Sequence, residues 1–219
     1  MANMYTGFFR DAIRRTRNLG FDLPAVQLRR DHTHVDSAFL GNDLGQLIFD
    51  TFGRLSMDDI SAQCVRLHSG LLAPVKDHFK CQAYLTIGSV KDGDHYYYDL
   101  NEQKIEELLR SGLESTFPFH CWITLDTLEI IDISFATTYA MSREEWDKVG
   151  EALAIHPDNL KTSGVTIEYV PMLIGDPFLN CIGIDCLSGI TLASQRNYIK
   201  PSWLKTKILN PLLSFSDKT

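Results

Sequence analysis

Residues 117–134 constrain this chain more than any other stretch. They form two short apolar runs parted by Asp126 and Thr127, the first carrying His120 and the second Asp132. Runs of this length, rich in β-branched and aromatic residues and broken by a turn, make a β-hairpin. Strand side chains alternate between faces and directly opposed residues share one, so the register decides whether imidazole and carboxylate can meet. A loop of Asp126 and Thr127 alone sets Cys121 against Asp132 and turns His120 away. Such loops favour Asn-Gly or Asp-Gly with positive φ, which Asp-Thr does not supply. A loop over 125–127 instead sets Thr124 opposite Leu128 and His120 directly opposite Asp132. This pairing, or a bulged equivalent, is the expected one. An imidazole and a carboxylate on one face supply a base and its orienter, and Cys64 is the candidate nucleophile.

The flanking pattern is mixed. Residues 6–19 read as a helix with Phe9, Ala12, Ile13 and Thr16 on one stripe, Arg10, Arg14 and Arg17 on another, and Gly20 as the stop. A short amphipathic helix over 44–52 closes at Gly53. Ser56 followed by Asp59 reads as an N-cap opening a helical pattern toward Phe79, in which Cys64, Leu67, Leu71, Leu72 and Val75 fall on a buried stripe. Pro74 should bend or end that helix. Strands are expected over 80–90 and 95–100 around a turn at 91–94, then a helix over 102–110 capped by Asn101 and ended by Gly112. Ser142 with Glu145 marks a capped helix through Leu153, and 165–174 is a strand. Toward the end, 181–186 reads as a short strand and 203–213 as an amphipathic helix cut by Pro211.

With 219 residues and 44% hydrophobic composition, one domain is expected, comprising an N-terminal helical elaboration (1–55), a core (56–174) and a C-terminal extension (175–219). The net charge of −7 is uneven: residues 1–30 hold six Arg against Asp11 and Asp22, and residues 200–219 hold four Lys against Asp217. The stretch between them therefore carries an acidic excess greater than that of the whole chain, which disfavours nucleic acid as a partner. Five scattered cysteines without framework spacing read as reduced thiols. The start lacks the apolar run of a signal peptide, and no apolar run approaches the roughly 18 residues a membrane span needs. A cytoplasmic location is the expectation, with the oligomeric state open.

His32-x-His34-x-Asp36 resembles the start of a metallo-β-lactamase-type metal site, but Ser37 stands where that family has another His, and apolar residues follow. Two imidazoles on one strand face can bind a metal without requiring one, so the segment is read as a polar loop or strand edge, and no metal or other cofactor is expected.

Taken in order, Cys64 at an apolar helical stretch, a strand ending at Gly88, His120-Cys-Trp122 and Ile130-Ile-Asp132 resemble the transglutaminase-like branch of the papain-like cysteine enzymes. The resemblance spans 64–134. It implies an α+β fold with a core helix packed on an antiparallel sheet, Cys64 as nucleophile, His120 as base and acid, and Asp132 as the group orienting the imidazole. It also implies a cysteine hydrolase or acyltransferase acting on an amide, ester or thioester, with a peptide or protein as substrate. Thiolate chemistry adds a structural requirement. A helix N-terminus carries about half a positive charge and favours a thiolate only within its first turn. The catalytic reading therefore predicts a break at 61–63 with Cys64 opening a fresh helix. The rival is a non-catalytic binding or assembly module with a similar fold, in which Cys64 is one more buried small hydrophobe, His120 a hydrogen-bonded sheet residue and Asp132 a strand-end cap.

Overall fold

The computed structural model describes residues 4–29, 32–113, 116–162 and 166–186. The expected helix over 203–213 lies outside these residues. The chain is α+β. Helix α1 (Met4–Asn18) buries Tyr5, Phe9, Ala12 and Thr16 and leaves Arg10, Arg14 and Arg17 exposed; Gly20, at φ 81°, turns the chain away. After an irregular loop and a π-turn at Phe39–Asp43, α2 (Leu44–Phe52) ends at Gly53. Two helices follow, α3 (Met57–Ile60) and α4 (Cys64–Phe79). Then come β1 (Ala83–Asp92), β2 (His95–Tyr98), α5 (Glu102–Ser111), β3 (His120–Leu125) and β4 (Ile130–Asp132). The remainder is α6 (Phe135–Ser142), β5 (Leu153–Ile155), α7 (Pro157–Thr162), β6 (Ile167–Ile174) and α8 (Pro177–Cys181).

β1 is the central strand of one antiparallel sheet. β6 pairs along one of its edges, while β3 and β2 share the other, and β4 and β5 extend the sheet beyond β3. One face carries Tyr84, Trp122 and Ile130 against Tyr5, Phe9 and Ala12 of α1. The other carries Ala83, Ile123, Leu125 and Ile131 against Leu67, Leu71 and Val75 of α4. α1 is thus a core layer. A buried chain of hydrogen bonds fixes it: Trp122 Nε1 donates to Tyr5 Oη at 2.8 Å, Tyr5 and Thr124 hydroxyls pair at 2.8 Å, and Thr124 pairs with Thr86 at 2.8 Å. Among the described residues no helix is long and apolar enough to cross a membrane.

Four expectations are corrected. Helix α4 does not end at Pro74 but runs through it to Phe79. A helix-interior proline costs about 3 kcal/mol, but burying Leu67, Leu71 and Val75 contributes roughly 1.5–3 kcal/mol each and holds the helix on the sheet. The helix expected to begin at Ser142 instead ends there as α6, and Glu145 pairs with Arg143 and Lys148 rather than with the backbone of Ser142. Residues 181–186 begin in the last turn of α8 and reduce the expected strand to an isolated bridge at Ile184, outside the strands of the sheet. The hairpin register is shifted, with Ile123 opposite Ile131 and Thr124 opposite Ile130. Its loop covers 126–128, with Leu125 N–H bonding Glu129 O at 2.8 Å and Leu128 in the left-handed region at φ 71°. This is the three-residue hairpin loop whose last residue is left-handed, with a leucine in the position glycine favours.

Candidate active site

The register shift is two residues, an even number, so face parity survives. Continued by one residue, the Ile123–Ile131 register carries Asp132 to the level of Trp122, one diagonal step from His120 on the same face, within reach of a long side chain. His120 Nε2 and Asp132 Oδ2 lie 2.6 Å apart, both side chains fully buried. Asp132 does more than hold the ring. Its Oδ2 also accepts from Tyr169 Oη at 2.9 Å, and its Oδ1 accepts the backbone N–H groups of Ser134 and Phe135, each at 2.9 Å. Those last two bonds satisfy orphan donors at the start of α6, so one carboxylate orients the imidazole and opens the next helix. Burial would raise its pKa, but the charge and hydrogen bond of His120 outweigh burial and hold Asp132 well below the usual carboxylate range.

The break before Cys64 is present. Ser56 and Asp59 form a reciprocal capping box, with Ser56 N–H to Asp59 Oδ2 at 2.9 Å, and α3 ends at Ile60. Ala62 then takes φ 58°, a left-handed conformation that costs a non-glycine residue roughly 1–2 kcal/mol. Gln63 caps α4, and Cys64 is its first residue. The first backbone bond is Leu67 N–H to Gln63 O at 3.0 Å, so the amides of Cys64, Val65 and Arg66 have no intrahelical acceptor and point their dipole at the Cys64 end.

Thiol and imidazole act on each other through their charges inside the buried cluster. The Cys64 pKa is held well below its ordinary value, first by a hydrogen bond from the Cys121 thiol, against burial, and then by the charge of His120. For His120, burial opposes protonation, yet the charges of Asp132 and Cys64 and the bond to Asp132 raise it from 6.5 to about 10. With Nε2 on Asp132, the other ring nitrogen, Nδ1, is buried and has no hydrogen-bond partner among the described residues. This is the electrostatics of a thiolate–imidazolium pair.

Several participants carried no sequence signal of their own. His68 lies one turn along α4 from Cys64; its Nδ1 donates to Cys64 O at 2.8 Å and its Nε2 accepts Ile133 N–H at 3.0 Å, so the ring ties the thiol-bearing turn to the end of β4. Only its i+4 spacing from Cys64 hinted at this. Tyr98 stacks on His120 at 5.0 Å between ring centroids, and Trp122 stacks at 6.1 Å. Gly88 lies opposite His120, and a Cβ there would sit 2.2 Å from Val170 O and 2.8 Å from the Trp122 ring. Cys121 has its thiol against Cys64, and burial and that contact push its own pKa well up.

Comparison with family models, curated proteins and solved structures finds no match. The resemblance to the transglutaminase-like enzymes therefore rests on the residues alone.

All three candidate groups are buried: Cys64 is 2% exposed, His120 and Asp132 0%. A groove of about 530 Å³ runs beside α4; Cys64, His120 and Asp132 do not line it, and Leu85, Leu72 and Cys186 on its wall belong to or pack against the apolar cluster that contains Cys64.

Proposed function

We propose that the chain is a cysteine-dependent hydrolase or acyltransferase of papain-like, transglutaminase-like type, acting on an amide, ester or thioester through Cys64, His120 and Asp132. The observation that carries this reading is a buried thiol at the first residue of a helix together with an imidazole fixed on a buried carboxylate, the Cys121 thiol and then the charge of that imidazole favouring the thiolate. The Cys64 sulfur attacks the acyl carbon, forming a C–S bond. As the bond to the leaving nitrogen, oxygen or sulfur breaks, His120 gives that atom its proton. His120 then takes a proton from water or an amine, which attacks the thioester and returns Cys64 as thiolate. Asp132 stays ionised throughout and steadies the imidazolium. The amide of Cys64, at the helix start, is the candidate oxyanion donor. A peptide or protein is the proposed substrate, in line with the resemblance, and the groove beside α4 is the proposed approach.

A second reading is favoured by one observation, the complete burial of all three groups. It takes the protein as a binding or assembly module in which the same network is a buried polar core. Intact-mass analysis with p-nitrophenyl acetate separates the two. The enzyme reading expects one acetyl group per chain, located on Cys64, formed in a burst and absent from Cys64→Ala. No acetylation of the native protein, or acetylation unchanged in Cys64→Ala, supports the module.

A further inference from the structure

A second side-chain cluster lies away from the Cys64 site. In His32-x-His34-x-Asp36, Asp36 is taken up locally, its Oδ1 accepting Phe39 N–H at 2.8 Å. His34 turns inward instead. Its Nε2 lies 2.9 Å from Asp126 Oδ1 at the tip of the β3–β4 hairpin, and Cys81, just beyond α4, completes a group whose ligand atoms all fall within 4.8 Å of one another. The three come from separate segments, and the backbone fixes each. Lys80, left-handed at φ 50°, swings the chain out of α4 toward Cys81. Asp126 N–H bonds Gln82 O at 2.9 Å and Asp126 O accepts Arg29 N–H at 2.8 Å. His34 N–H and Val35 N–H bond the two oxygens of Glu129 at 2.7 and 3.0 Å. The His34 and Asp126 side chains are only 6% and 3% exposed, and Arg29 Nε sits 3.4 Å from Oδ2 of Asp126, the oxygen that does not face His34.

We infer that His34 Nε2, Cys81 Sγ and Asp126 Oδ1 form a binding site for a zinc-class divalent cation. One nitrogen, one sulfur and one oxygen donor suit a borderline-soft ion; calcium and magnesium prefer oxygen alone. Tetrahedral zinc needs ligand atoms about 3.3–3.5 Å apart, so binding opens the His34–Asp126 contact by a few tenths of an ångström and draws Cys81 in. Cys81 enters as thiolate and releases its proton to solvent, and with the Asp126 carboxylate it balances the two positive charges of the ion. His32, whose ring meets His34 edge-on at 4.6 Å between centroids, is the neighbouring side chain for the fourth position. A bound ion would staple the loop after α1 and the end of α4 to the hairpin that carries His120 and Asp132.

The test is titration of the full chain, reduced and freed of metal with a chelator, with Co²⁺ as spectroscopic probe and then with Zn²⁺ as competitor. The expected result is a thiolate-to-cobalt charge-transfer band that saturates at one equivalent, is displaced by Zn²⁺, and persists in Cys64→Ser. Cys81→Ser should abolish the band, and His34→Gln and Asp126→Asn should each weaken binding about 10- to 100-fold or more. Three separate variants keep the test decisive should one fail to fold. Absence of the band in the wild-type chain, or a band retained in Cys81→Ser, overturns the inference. Because Cys64→Ser is the control, this outcome and that of the acetylation experiment are independent.

Discussion

Asp132 is the residue on which the site balances. It accepts from His120, Tyr169 and two backbone amides inside a fully buried cluster. Asp132→Asn leaves the imidazole without its counter-charge, and removing one partner of a buried pair costs about 3–5 kcal/mol. Urea unfolding should show that loss, together with slower acetylation of Cys64. The His120 pKa predicts a pH dependence of opposite sense to acid unfolding. A folded-state value of about 10 against 6.5 means that stability from His120 is fully present below pH 6.5 and is lost as pH rises through about 10. Cys64, held below its ordinary value of 9.0, gains stability as pH rises toward 9.0 and offsets that loss up to there. Asp132, depressed in the folded state, contributes above its ordinary value of 3.8, and that contribution is lost as pH falls through the depressed one. Unfolding free energy should therefore decline in the native chain between about pH 9 and 10 and run flatter over that window in His120→Gln.

At the scale of elements, what the sequence made legible was local chemistry. Ser56 with Asp59, Asn101 and Gly53 marked helix ends that are present, and Phe9, Ala12 and Thr16 marked the buried face of α1. The hairpin was legible too, but its register was not, because it depends on Leu128 adopting a positive φ that leucine's own preferences argue against. The run of α4 through Pro74 was equally hidden, since tertiary burial overrides a local breaker. The meeting of Cys64 with Cys121, and of His68 with Cys64 and Ile133, depends on α4 lying across the sheet, which no local pattern states. Two glycine positions test the packing. Gly88→Ala should destabilise by about 2 kcal/mol or more, since the added carbon meets backbone oxygen and the Trp122 ring. Gly7→Ala, in α1 with nothing within 4 Å, should stabilise by about 0.4–1 kcal/mol. Thermal melts of the pair give both signs in one experiment.

For the whole molecule, two layers close on one sheet, and the candidate site sits where they meet. Tyr98, Trp122 and Phe135 pack on His120 from one side, and Cys64 and His68 approach it from α4. α1 belongs to that closure through Phe9 and the Tyr5–Trp122 bond, so Phe9→Ala should cost roughly 3–5 kcal/mol in urea unfolding and loosen the network around His120. Burial and ionisation pull in opposite directions in this assembly: the fold shields the thiol from solvent while the helix start and the imidazole favour its thiolate. The rate at which iodoacetamide alkylates Cys64 in the folded protein, followed by peptide mass across pH, weighs both at once. The account predicts selective labelling of Cys64 with an apparent pKa well below the free-thiol value of about 8.5, moving up toward it in His120→Gln. Labelling of Cys64 that is no faster than global unfolding, with an ordinary thiol profile unchanged in His120→Gln, would contradict it.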